Sequence, residues 1–183
     1  NRLADAYMPD NSSKYNTTFS FDHQLWQYPD WQNYEIKYRP DLWWNNYDGM
    51  KVGLNLNGGY MNHHHLIDAT VWINTGTLQK DSIANPNDYD YYSYRLDYNT
   101  HLDNITLNSR LKVKSKFLAG LYTNKISIEK SDSKGNNKLT VDFLSLYRTN
   151  SNYLINNGWE LEKMNNRIDV SLEHKYNYSY GKG

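Results

Sequence analysis

From Tyr34 onward, apolar and polar residues alternate with a period of two. Tyr34, Ile36 and Tyr38 point one way and Glu35, Lys37 and Arg39 the other, with Pro40, which cannot donate to a ladder, expected to end the run. Val52, Leu54, Leu56 and Tyr60 then share a face opposite Lys51, Gly53, Asn55 and Asn57. Ile67, Ala69, Val71 and Ile73 oppose Asp68, Thr70, Trp72 and Asn74. A short polar connection joins these two runs, so they read as a β-hairpin. Tyr92, Tyr94, Leu96 and Tyr98 oppose Ser93, Arg95, Asp97 and Asn99, and the next run sets Leu107, Leu111, Val113 and Phe117 against Asn108, Arg110, Lys112, Lys114 and Lys116. Leu139, Val141, Phe143 and Tyr147 form a return strand, blurred by Leu144 and Leu146. The last run places Ile168, Val170, Leu172, Tyr176, Tyr178 and Tyr180 opposite Asp169, Ser171, Glu173, Lys175, Asn177 and Ser179.

Turn formers separate the runs: Asp48-Gly49, the long polar QKDSIANPNDYD, and SDSKGNNK. No helical stretch intervenes. The expected fold is therefore all-β, an antiparallel up-and-down meander over residues 34–183. Residues 1–33 read as an irregular connecting segment in which FSFDHQLW could hold a short strand. Several runs reach the ~9–11 residues of a tilted membrane-crossing strand, which points to a transmembrane β-barrel or a partial segment of one. The soluble alternative is a sandwich or lipocalin-like barrel. Strands there are usually ~5–6 residues, and an interior lined by alternating lysines would be unusual.

Composition sharpens the choice. The chain has 18 Tyr and 6 Trp against 4 Phe, a bias toward aromatics that bury a ring and keep a polar atom wet. Its mean hydropathy is strongly negative, yet a barrel needs apolar residues only at alternate positions. The expected lipid-facing residues are Val52, Leu54, Leu56, Ile67, Ala69, Val71 and Ile73. Trp43, Trp44, Tyr92, Tyr94, Tyr98, Tyr176, Tyr178 and Tyr180 are candidates for an interfacial aromatic belt. Arg95, Lys112, Lys114, Lys116, Asp169 and Glu173 are expected to face the lumen, as are Lys51, Asn55, Asp68 and Asn74. A formal charge of zero argues against a nucleic-acid partner, and the absence of cysteine excludes disulfides and thiolate metal sites.

Candidate chemistry is sparse. His63-His64-His65 is the only histidine cluster, but neighbouring side chains in an extended chain diverge, so a hairpin tip is expected rather than a metal centre. The chain contains no HExxH, GxSxG or phosphate-binding glycine loop. No catalytic, cofactor-binding or metal residue is assigned. The lysine face either selects anions in a lumen or pairs with Asp97, Asp169 and Glu173 to hold the interior together, and the structural role is favoured.

Several segments together, NRLADAYMPD, YRPDLWWNNYDGMKVGLNLNGGYM, IDATVWINTG, FLAGLYTNKISIEK and SLEHKYNYSYGKG, resemble the C-terminal region of large outer-membrane proteins of Gram-negative bacteria. In that family an aminopeptidase-N-like zinc metallopeptidase domain precedes a surface-antigen-like β-barrel. The resemblance implies a non-catalytic barrel, whole or partial, that anchors such a protein in the bacterial outer membrane. Its partners would be the lipid bilayer and other outer-membrane proteins. Zinc and catalysis would belong to a peptidase domain that this chain lacks, and no ligand can be carried over to any position here. A structural subunit of an outer-membrane complex and a small porin-like channel are the alternative expectations.

Overall fold

A computed structural model describes residues 16–23, 28, 30, 32–61, 64–80, 89–103, 105–150 and 162–175. They form one nine-stranded sheet in sequence order: β1 (Asn16–Phe21), β2 (Asn33–Asn45), β3 (Gly49–Tyr60), β4 (His64–Asn74), β5 (Tyr92–His101), β6 (Ser109–Leu118), β7 (Leu121–Ser131), β8 (Asn137–Arg148) and β9 (Met164–His174). The fold is all-β, and β2 to β9 make an antiparallel up-and-down meander. Among the described residues β1 and β9 do not pair, so the sheet is open, as a segment of a barrel would be. The substantial strand contacts run only between neighbours, so among the described residues no second layer of strands covers either face.

Turn chemistry sets the register. The Asn45 side chain accepts from the backbone N–H of Tyr47 and Asp48, and Gly49 follows at φ 70°, closing the β2–β3 turn. A Cβ on Gly49 would sit 2.2 Å from the Thr77 carbonyl oxygen, so only glycine fits there. Ala119 and Gly120, both at positive φ, join β6 to β7 by a two-residue turn whose twist suits adjacent strands. That divides a stretch, Leu118 to Thr123, whose apolar pattern alone does not locate a turn. Around Gly58 the register shifts, so the glycine pair there is a bulge.

One expectation is met in part and another is revised. The opening segment holds the short strand allowed at FSFDHQLW: β1 takes in Phe19 to Phe21 but begins earlier, at Asn16, and runs parallel to β2. Pro40 does not end its run, because β2 continues through it to Asn45. β1 pairs only as far as Tyr38, so Pro40 lies where the outer side of β2 has no ladder to break.

The β7–β8 turn is closed by Asp132. Its carboxylate accepts from the Asn136 backbone N–H at 2.8 Å and the Asn137 side chain at 2.7 Å. Partial desolvation works to raise its pKa, but these hydrogen bonds outweigh that and hold the carboxyl below its ordinary range. Such a group stabilises the fold fully above its unfolded-state pKa, and the contribution disappears as pH falls through the folded-state value. Asp132→Asn is therefore expected to lower the denaturant midpoint at neutral pH. The gap to the parent protein should close in acid below the usual carboxylate range, as read by urea titrations at stepped pH.

Candidate functional surface

The register aligns all apolar alternate positions on one side of the sheet. Leu42, Val52, Ile73 and Tyr92 form one cross-strand row, and Pro40, Leu54, Val71, Tyr94, Phe117, Tyr122, Tyr147 and Met164 form the next. This side is open: Val71 is 56% exposed, Ile73 68%, and Ile168, Val170 and Leu172 68–75%. On β3, β4, β7 and β8 the polar side is the more buried, whereas on β6 Phe117 on the apolar side is buried while Lys114 and Lys116 are exposed, and on β9 both sides are open. Asn55, Thr70, Asn74, Ser93 and Ser127 are all buried, and Lys51 has no exposed surface. On β3, β4, β7 and β8 burial is thus inverted relative to a water-soluble protein, whose polar surface faces out.

Every expected lipid-facing residue, Val52, Leu54, Leu56, Ile67, Ala69, Val71 and Ile73, falls on the apolar side. Trp44, Tyr92, Tyr94 and Tyr98 share it. Trp43 does not, because adjacent strand residues point oppositely, and its ring lies 5.9 Å from Trp72 on the polar side. Tyr176, Tyr178 and Tyr180 lie outside the described residues. Arg95, Lys112, Lys114, Lys116, Asp169 and Glu173 are all on the polar side.

Ion pairs organise that side, though not all as expected. Lys114 pairs with Asp97 at 3.2 Å, and Arg95 bridges Asp68 and Asp97 at 2.9 Å each. Lys112 instead reaches Glu129 on β7 at 2.6 Å, and Lys138 shares that carboxylate at 3.3 Å. Asp169 and Glu173 cannot meet the lysines of β6, since β9 lies three strands away in the sheet. Asp169 pairs with Arg167 on its own strand at 2.8 Å. Lys116 has no ion-pair partner among the described residues, and it stands directly across from Arg95.

The densest cluster lies where β2, β3, β4 and β5 meet near the Asn45–Asp48 turn. Lys51 Nζ is 2.5 Å from Asp48 Oδ2, both side chains are fully buried, and the ammonium also donates to Ser93 Oγ at 2.8 Å. Asp48 accepts from Asn45 Nδ2 at 2.7 Å, and Asn74 Nδ2 donates to Ser93 at 3.0 Å. The Trp43 ring stands 5.2 Å from the Lys51 ammonium, a cation–π contact. Trp72 Nε1 donates to Asp41 at 2.6 Å, and its ring lies over Gly53, where a Cβ would come within 2.6 Å of Cδ1. These contacts give the RPDLWWNNYDGMKVG stretch a physical role. Asp41, Trp43, Asn45, Asp48, Gly49, Lys51 and Gly53 are the parts of one cluster built around the buried Asp48–Lys51 pair, and alternation by itself marks only their side of the strand.

The described histidines of the triplet lie at the β3–β4 end of the hairpin, with ordered partners: His64 and His65 open β4, His65 is exposed, and His63 lies outside the described residues. His65 accepts through its backbone carbonyl from Tyr34 Oη and pairs through Nδ1 with Tyr98 Oη, each at 2.7 Å. The His64 ring meets His101 edge-on at 5.5 Å. The bulge after Gly58 and the positive φ of His65 turn these rings toward the neighbouring strands, which spacing cannot reveal. Among the described residues no group of three or more His, Cys, Asp or Glu side chains is arranged to hold a metal ion. No helix there is long and apolar enough to cross a membrane, a fact silent on strands.

No protein-family model matches the chain, and no curated protein or solved structure is detectably similar to it.

Proposed function

We propose that this chain forms the wall of a transmembrane β-barrel, whole or in part, in a bacterial outer membrane, and that it acts as a non-catalytic membrane anchor. The single observation that carries this is the inverted burial on β3, β4, β7 and β8. There the aliphatic side is the more open, while the opposite side of lysines, carboxylates and amides is the more buried and is ion-paired. An aqueous environment would leave Val71, Ile73, Ile168, Val170 and Leu172 hydrated at a cost of ~25 cal/mol per Å² of apolar surface, whereas hydrocarbon removes that cost. Strands of 10 to 13 residues from β2 to β9 match or exceed the length a tilted strand needs to cross the hydrocarbon. The resemblance to the surface-antigen-like region of aminopeptidase-N-like proteins supports the same location. It also suggests that the anchored activity is a peptidase carried outside these residues.

Refolding from urea provides the test. Added to detergent micelles or liposomes, the chain is expected to become protease-resistant and to migrate differently on gels with and without boiling. A folded, monodisperse monomer in detergent-free buffer would exclude the membrane assignment.

A further inference from the structure

The apolar band does not run along the cross-strand rows. On β3 it comprises Val52, Leu54 and Leu56, centred on Leu54. The row through Leu54 reaches β8 at Tyr147 and β9 at Met164. On those strands the aliphatic residues lie elsewhere: Leu139, Val141 and Phe143 on β8, and Ile168, Val170 and Leu172 on β9. Between β3 and β9 the centre of the band moves six residues along the strand, from the Met164 row to Val170, over six strand steps. At ~3.3 Å per residue and ~4.8 Å per strand, the drift is about 20 Å in about 29 Å, an angle of about 35°. Strands tilted about 35–45° from a barrel axis carry a level band in this oblique way.

The same slope sets the depth of every outward residue. A shift of one residue per strand brings the centre level with Lys114 on β6 and with Ile126 on β7. Ser115 is then one residue and Asn124 two residues from the centre, about 3 and 5 Å along the membrane normal. Both belong to the lipid-facing side, and they interrupt it. Their row is Leu56, Ala69 and Leu96 on β3, β4 and β5, and it turns polar at Ser115, Asn124 and Ser145.

Ser115 Oγ donates to Asn124 Oδ1 at 2.6 Å and lies 3.3 Å from Tyr94 Oη. That engages only the oxygen of the amide. Among the described residues Asn124 Nδ2 has no acceptor, and the side chain is exposed. The Ser145 hydroxyl beside it has no partner among them either. Acyl chains offer no acceptor, so hydrocarbon leaves such an N–H unsatisfied. The ester layer begins ~15 Å from the midplane, beyond the reach of an asparagine at this depth. The acceptor must come from protein.

Building on the membrane assignment, we propose that this patch is where two copies of the chain meet within the bilayer, on a two-fold axis along the membrane normal close to Asn124. A carboxamide carries donors and acceptors together, so Asn124 of a second copy supplies what Nδ2 lacks, and the contact is self-complementary. An axis along the normal keeps both copies inserted in the same direction. The patch carries no charge that would favour a partner of opposite sign. Ser115 and Ser145 on either side are small, and small residues let membrane-embedded surfaces approach closely.

The chain has no native cysteine, so a single introduced one reports contact. Asn124→Cys, Ser145→Cys and Leu54→Cys are refolded into liposomes of phosphatidylcholine and phosphatidylglycerol, and heat-modifiable migration selects the folded protein. Leu54 lies at similar depth four strands away and serves as the control. After mild oxidation, disulfide-linked dimers are expected several-fold more often at 124 and 145 than at 54, and they should persist when lipid is added in excess. Asn124→Leu placed in the Ser145→Cys protein should lower its dimer yield several-fold. Equal yields at all three positions, falling together on dilution with lipid, would overturn the contact and leave the membrane assignment intact. Undiminished dimers with Asn124→Leu would overturn the pairing through the amide. A fluorophore at 124 quenched by brominated acyl chains as fully as one at 54 would also overturn it, because lipid would then cover the patch. A folded, monodisperse monomer in detergent-free buffer would overturn the membrane assignment, and the contact with it.

Discussion

Val71→Arg is expected to weaken folding into a bilayer by about 2–4 kcal/mol, the cost of a cation near the hydrocarbon midplane. Val71 shares a row with Leu54 at the centre of the band, and more than half of its surface is exposed on the apolar side. The same arginine at Met164, the first residue of β9 on the same side, should cost about 0–1 kcal/mol, because the ends of membrane-crossing strands let a long side chain reach water. Urea-dependent folding into liposomes, followed by gel migration without boiling, measures both. The contrast carries more information than either value. Equal costs at the two sites would show that the outward side is not graded in depth, and negligible costs at both would remove lipid from that side altogether.

The second large effect is expected at the buried Asp48–Lys51 pair. Asp48→Asn keeps the shape of the side chain but leaves the Lys51 ammonium in a fully buried position without its counter-charge. Removing one partner of such a pair typically costs about 3–5 kcal/mol. The Ser93 hydroxyl and the Trp43 ring, which also contact the ammonium, supply only partial compensation. Adding Lys51→Met should recover most of the loss, since the uncompensated charge, not the absence of attraction, is what destabilises. Equilibrium unfolding of the parent, the single variants and the double variant closes the cycle. A single variant as stable as the parent would mean that water reaches Lys51.

Much of this could be read from alternation alone. A period of two defines the sides of a strand regardless of tertiary context, so Val52 through Ile73 and the lysines of β6 were assignable before any register was known. Turns with strong side-chain signals were legible too, as at Asp48-Gly49 and SDSKGNNK. Where local signals were weak or depended on distant strands, the sequence was silent or misleading. Ala119-Gly120 lies within a run whose apolar residues do not mark a break. Pro40 breaks a ladder only if a neighbour is there to be broken, and that depends on where β1 stops. Trp43 and Trp44 look equivalent in composition, yet one packs on Trp72 and the other hydrogen-bonds through Nε1 to the Leu78 carbonyl.

The sequence by itself determined the all-β class, the sidedness of each strand and the polar character of one face, because those follow from the backbone's two-residue repeat. Only the tertiary structure decided which strands are neighbours and in what register. Ion-pair partners are set there: Lys112 finds Glu129 and not Asp169 because hydrogen bonding brings β7 beside β6 and leaves β9 three strands away. The slope of the apolar band is set there as well, since it is a property of strands in register and of no single strand. So is the assembly of Asp41, Asp48, Lys51, Trp72 and Ser93 into one cluster, which requires four strands in register to bring together side chains far apart in the chain.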